Sequence, residues 1–209
     1  MRTLRRKLLA MQGYKRLNYV QNPDKAFFLF DYHLTEKNKF VFDGCIDEIL
    51  PNNVFTGTDN FYLGNGASYY TIFARYSDMI VTNMKFDLSK RHKFEIGKGV
   101  GLKVDGDVIK RPITATPFIS ERRLSILGNA SPTGKLSFFK GKMCEFLLYE
   151  DDKLIMHLIP MKRKKDMLAG AYDLVNDKFY SSHTDAKFVG GVNKAVLCSM
   201  SFITERRVA

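Results

Sequence analysis

The sequence predicts an all-β sandwich. Short apolar and aromatic runs follow one another along most of its length, and Gly, Asn and Asp fall between them. After residue 13, no stretch sustains a long helical period. Many short strands separated by turn residues are the pattern of two packed sheets.

The elements follow in order. Residues 1–13 read as a short basic helix or arm. Leu4, Leu8 and Met11 fall at helical spacing, Arg2, Arg5, Arg6 and Lys7 surround them, and Gly13 ends the segment. So short a helix is unstable alone, because nucleation costs more than one or two turns return. A membrane-surface helix, a nucleic-acid arm and a docking arm for a protein partner all fit; docking is the preferred reading. From Tyr14 the pattern is β. "AFFLFDYHL" is apolar and aromatic, and "KFVFDGCIDEI" alternates through Phe40, Phe42 and Ile46. "NFYLGNGASYYTIFARY" is two aromatic runs around Gly64-Asn65-Gly66. "DMIVTNMKFDL", "RHKFEIG", "GLKVDGDVIKR" and "RRLSILGNA" follow, then "KLSFFKGKMCEFLLYED", "DKLIMHLIPMKRKKD" and "LAGAYDLVNDKFYSS". In the tail, Val196, Cys198, Met200 and Phe202 alternate and suit an edge strand, of this domain or of a neighbouring subunit.

Turn chemistry supports the strands. Asp105-Gly106, Asn176-Asp177 and the "EDDK" of Glu150–Lys153 suit primed hairpin turns, which need positive φ. In "GLKVDGDVIKR", Leu102, Val104, Val108 and Ile109 are expected to supply apolar contacts on either side of the turn.

Bulk properties set limits. The chain has 209 residues, 45% of them hydrophobic and 13% aromatic, enough for one large core. The net charge of +11 favours acidic partners or serves solubility alone. Cys45, Cys144 and Cys198 are odd in number and widely spaced, so buried thiols in a reducing compartment are expected rather than a disulfide framework or a zinc site. The run "LLAM" is too short for a signal-peptide core, and nothing approaches the roughly 20 apolar residues of a membrane span.

The motif order resembles the concanavalin A-like, laminin-G-like family. "RHKFEIGKGVGLKVDGDVIKR" is similar to its hairpin. Next, Leu127-Gly128 ends a strand, and Phe139 and Gly141 open another that runs to Tyr149. The stretch from Ile159-Pro160 is similar to a C-terminal signature of such proteins in gut bacteria and their phages. It continues through Lys162 to Lys165, Gly170, Tyr172 to Asn176 and Lys178 to Tyr180, and ends at Phe188 and Gly190. The resemblance covers roughly residues 14–191 and implies a jelly-roll of two antiparallel sheets. Residues 1–13 and 192–209 extend beyond it.

Sandwich glycosidases of that superfamily carry paired carboxylates on one strand, because residues two apart share a face. No such run is present. Asp43, Asp47 and Glu48 are the nearest cluster, and Asp47 and Glu48 point to opposite faces of any strand. His33, His92, His157 and His183 lack metal spacing. Gly97, Gly99 and Gly101 lack the following helix of a phosphate loop. No catalytic residue and no enzyme activity are expected. The resemblance raises calcium, for which Asp59 with Asn60, or Asp105 with Asp107, are candidate ligands; turn roles explain both pairs without a metal, so no cofactor is expected. Tyr62, Tyr69 and Tyr70 near Asn65 are candidate glycan contacts, since aromatic faces stack on sugar rings, although the same residues also suit a core. Arg2, Arg5, Arg6 and Lys7, with Lys162, Arg163, Lys164 and Lys165, are candidate docking residues.

The expected function is therefore a non-enzymatic structural or adhesion protein of a tailed bacteriophage or prophage. It would be docked by its terminal arms on other virion proteins and copies of itself, assembled in the host cytoplasm, and able to contact host-surface glycans. Neither a membrane span nor nucleic-acid binding belongs to this expectation. The alternative is a carbohydrate-binding, lectin-like module of a bacterial surface or secreted system.

Overall fold

A computed structural model describes residues 11–47, 54–65, 71–130 and 136–192. A 3-10 turn at Met11–Gly13 leads into β1 (Tyr14–Arg16), β2 (Tyr19–Gln21), β3 (Phe28–Thr35), β4 (Asn38–Ile46), β5 (Val54–Gly57) and β6 (Phe61–Asn65). Then come β7 (Thr71–Tyr76), β8 (Met79–Lys85), β9 (His92–Gly97), β10 (Gly101–Val104), β11 (Asp107–Lys110), β12 (Ile119–Ile126) and β13 (Gly128–Ala130). The last are β14 (Leu136–Phe138), β15 (Gly141–Glu150), β16 (Lys153–Arg163), β17 (Leu168–Asp173), β18 (Lys178–Tyr180) and β19 (Val189–Gly191). Of the expected N-terminal helix, only the single turn at Met11–Gly13 falls among the described residues. The basic positions Arg2, Arg5, Arg6 and Lys7 and the C-terminal alternation from Val196 to Phe202 lie outside them.

Two antiparallel sheets pack as a sandwich. The larger runs β11-β10-β9-β4-β15-β16-β17-β18, with β1 on β16, β2 on β15 and β19 on β2. The other runs β3-β12-β5-β6-β7-β8, and β13 pairs with β14 alone. Alternation decides which face is inside. Phe40 and Phe42 on β4, Phe94 on β9 and Phe146 on β15 face the second sheet and are almost fully buried. They meet Phe55 and Phe61 from that sheet: Phe40 stacks on Phe61 at 4.7 Å, and Phe42 and Phe94 lie 5.9 and 6.1 Å from Phe55. Each buried ring contributes about 2 kcal/mol by removing apolar surface from water.

The N-terminal segment closes a split in the large sheet. β15 and β16 pair from Phe146↔Leu158 to Glu150↔Lys153 and then diverge. β1 takes up the far end of β16, with Tyr14 opposite Arg163 and Arg16 opposite Met161. β2 takes up the start of β15, with Gln21 opposite Lys142. Between them, Leu17 N donates to Pro160 O at 3.0 Å. This placement accommodates Pro160 inside a long strand: its missing N–H faces the gap between β1 and β2, where the ladder is already interrupted.

The hairpins refine the expected turns. Asp105 and Gly106 have φ of 53° and 93°, and Asp151 and Asp152 of 46° and 64°, as two-residue primed turns require. The Asn176-Asp177 expectation is corrected. The turn there spans four residues, Leu174 to Asp177, and only Asp177 has positive φ. The reason is the buried Asp173 carboxylate, whose Oδ1 accepts from Val175 N and Asn176 N at 2.9 and 3.4 Å, while Asp177 N donates to Asp173 O at 2.9 Å. Around Asp105-Gly106, Leu102 and Val104 are buried as expected, but Val108 is 56% exposed. Successive side chains on β11 point to opposite faces, so Ile109 packs against the core and Val108 turns outward.

Candidate functional site

The two sheets leave a cleft where β3, at the edge of the smaller one, passes the β16–β18 end of the larger. It has a volume of about 590 Å³. Leu29, Phe30, Asp31 and Tyr32 from β3 and Arg123 from β12 form one wall. Glu150, Ile155, Met156, Asn176, Lys178 and Tyr180 form the other. Alternation on β3 explains the first wall: Phe28 and Phe30 turn into the core, and Asp31 remains exposed.

Packing and hydrogen bonds hold the lining in place. The rings of Phe30 and Tyr180 meet edge to face at 4.8 Å, and Lys178 Nζ lies 4.9 Å from the Tyr180 ring centre. Asn176 Nδ2 donates to Ile155 O at 2.9 Å and to Asp173 Oδ2 at 2.6 Å. Tyr32 Oη accepts from Asn38 Nδ2 at 2.9 Å, and Asn38 is itself fully buried. Burial raises the phenols of Tyr32 and Tyr180. A half-buried aromatic floor edged by two carboxylates, an amide, an arginine and a lysine suits a polyhydroxylated ligand, and the volume matches a small-molecule site.

A second cluster, on the outer face of the large sheet, joins residues far apart in sequence. The register sets Glu145 opposite Asp43 and Asp43 opposite Lys93. No search along one strand finds this carboxylate pair, because its members are 102 positions apart. Their environments oppose acid–base work. Arg91 clamps Asp43 through Nε–Oδ1 and Nη2–Oδ2 contacts, both of 2.6 Å. His157 Nε2 donates to Glu145 Oε1 at 2.7 Å and holds that carboxyl below the ordinary glutamate range. A general acid at a glycosidic bond needs the opposite shift.

The residues singled out from sequence fall elsewhere. Tyr62 lies on β6, three strands from β3 in the same sheet, half-buried against Phe73 at 5.2 Å. Asn65 ends β6 opposite Ile72. Tyr69 and Tyr70 lie outside the described residues. Asp105 ties the β10–β11 turn to β9: Oδ1 accepts from Lys93 N at 2.8 Å and Oδ2 pairs with His92 Nδ1 at 2.6 Å. Asp59 Oδ2 accepts from Glu121 N at 3.4 Å, and Oδ1 is buried with no hydrogen-bond partner among the described residues. Among the described residues, no three His, Cys, Asp or Glu converge. Cys45 and Cys144 are half-buried, and burial raises the Cys45 thiol.

In the basic run, Arg163 is tied to Asp166, with Nη2–Oδ2 at 2.6 Å, and lies 5.0 Å from the Phe179 ring centre. Lys164 Nζ donates to Gln12 O at 2.8 Å. Among the described residues no helix is long and apolar enough to cross a membrane. Fold and cleft together define a two-sheet antiparallel β-sandwich with a lateral cleft. No family and no curated protein matches the chain.

Proposed function

We propose that the chain is a non-enzymatic adhesion and structural module of a tailed phage or prophage particle, a laminin-G-like sandwich that binds carbohydrate in the cleft between β3 and β18. The cleft carries this reading. It sets Tyr180 and Tyr32 beside Asp31, Glu150, Asn176, Arg123 and Lys178, which supplies an aromatic surface and hydrogen-bonding groups for sugar hydroxyls. The pairing of Asp43 with Arg91 and of Glu145 with His157 supports binding without hydrolysis. The phage context rests on the tail motif from Ile159 to Gly190.

A glycan array on the recombinant protein, with Tyr180→Ala in parallel, tests the binding. Selective signals that fall at least tenfold in the variant are expected; no signal with or without calcium sinks the glycan reading. Mass spectrometry of purified particles tests the location, and absence from them sinks the virion reading. The same cleft serves a lectin-like module of a bacterial surface system, in which case the gene lies beside polysaccharide-utilisation genes.

A further inference from the structure

β1 and β16 bring three lysines onto one face. Lys15 stands directly opposite Lys162. Lys164 N donates to Gly13 O at 2.8 Å, which continues the same register by one step and returns Lys164 to the face of Lys162. Among the described residues neither Lys15 nor Lys162 has a salt-bridge partner, whereas Lys39, Lys90, Lys98 and Lys142 each have one. Like charges directly opposite across an antiparallel pair are unfavourable. Lys15 and Lys164 are exposed and Lys162 is half-buried, so the face is accessible.

We propose that the face shared by Lys15, Lys162 and Lys164 docks the acidic surface of a partner protein. The inference rests on the reading of the chain as a docked module and adds where it docks and against what chemistry. An acidic surface lying across the three lysines relieves the repulsion that the strand register imposes. It also meets the chain where the segment bearing Arg2, Arg5, Arg6 and Lys7 joins the sandwich. A protein acid fits better than single-stranded nucleic acid. Single-stranded nucleic-acid surfaces combine cations with aromatic rings for stacking. Here the rings point the other way: Tyr14, Tyr172 and Phe179 pack together on the opposite face, with Tyr14 5.0 Å from Tyr172 and 5.2 Å from Phe179. Arg163 is held there by Asp166 and Phe179.

The test measures binding of labelled poly-L-glutamate and of a DNA duplex by fluorescence anisotropy, from low to high salt. The full chain is compared with Lys15→Gln/Lys162→Gln and with the control Lys103→Gln/Lys110→Gln. Binding of polyglutamate at low salt is expected. The test variant should bind roughly five- to tenfold more weakly, with the difference fading as salt screens it, and the control should be unchanged. The test variant should also melt no lower than the wild type, because a repulsion has been removed. Equal loss in both variants, unchanged binding in the test variant, or tighter binding of DNA than of polyglutamate each overturns the proposal. So does aggregation of the test variant with unchanged binding, which makes these lysines guards of a sheet edge. Particle mass spectrometry separates the two levels: a chain present in particles whose test variant still binds polyglutamate refutes the lysine face alone. A chain absent from particles refutes the docked-module reading whatever the polymer result.

Discussion

Asn22 joins four backbone groups from three parts of the chain, so its replacement by alanine has a calculable cost. Its Nδ2 donates to Leu127 O at 3.2 Å and to Phe139 O at 3.0 Å. Its Oδ1 accepts from Asp24 N at 3.0 Å and from Ala26 N at 2.9 Å. Asn22 is 1% exposed, and Leu127, Phe139 and Ala26 are equally buried, so water has little access to three of the four orphaned groups, while Asp24 is exposed. Leu127 adopts positive φ, at 62°, and the amide helps to hold it there. At about 1 kcal/mol for each hydrogen bond, Asn22→Ala costs about 4 kcal/mol, a large fraction of the roughly 5–15 kcal/mol that stabilises a domain. With a urea m-value of about 2 kcal/mol/M, the midpoint falls by about 2 M at unchanged slope. Asn22→Asp keeps the two acceptor bonds but turns a carboxylate oxygen toward two carbonyls, so it should lose as much at neutral pH. A loss below about 1 kcal/mol for Asn22→Ala, measured by urea unfolding, refutes the assignment of Asn22 as the link that holds these segments together.

Three further outcomes follow. Gly170→Ala places a Cβ 2.1 Å from Tyr180 O and 2.7 Å from the Phe179 ring, so β17 and β18 must separate; a loss of about 2–3 kcal/mol in thermal or urea unfolding, with loss of glycan binding, is expected. Glu145 has a lowered folded pKa through the His157 hydrogen bond, so its contribution to stability is full above the ordinary glutamate value of 4.5 and is lost as pH falls through the lower folded value. Glu145→Gln should therefore flatten the stability–pH curve below about pH 4.5 and leave its shape near neutrality unchanged, as read by urea unfolding across pH. Removing residues 1–16 strips β1 from β16, exposes Met161 and Tyr172, and should lower the melting temperature by several degrees, as read by calorimetry.

The strands legible in the sequence are those long enough to alternate, such as β4, β9, β15 and β16. The strands that escaped, β1, β2, β5 and β19, are three or four residues long and exist because a neighbour offers a ladder. The Asp105-Gly106 and Asp151-Asp152 turns were legible because each needs positive φ over two residues. The Leu174–Asp177 turn was not, since a carboxylate buried one residue earlier organises it.

By itself, the sequence determined the all-β class, the core phenylalanines of β4 and two of the hairpins, because alternation and turn conformation are properties of neighbouring residues. Only the tertiary structure decided that Asp43 meets Glu145, that Lys15 faces Lys162 and that Phe30 lies against Tyr180. Each pairing depends on which strand edges meet and in which register, and that is settled by how the whole chain buries its two apolar faces against each other.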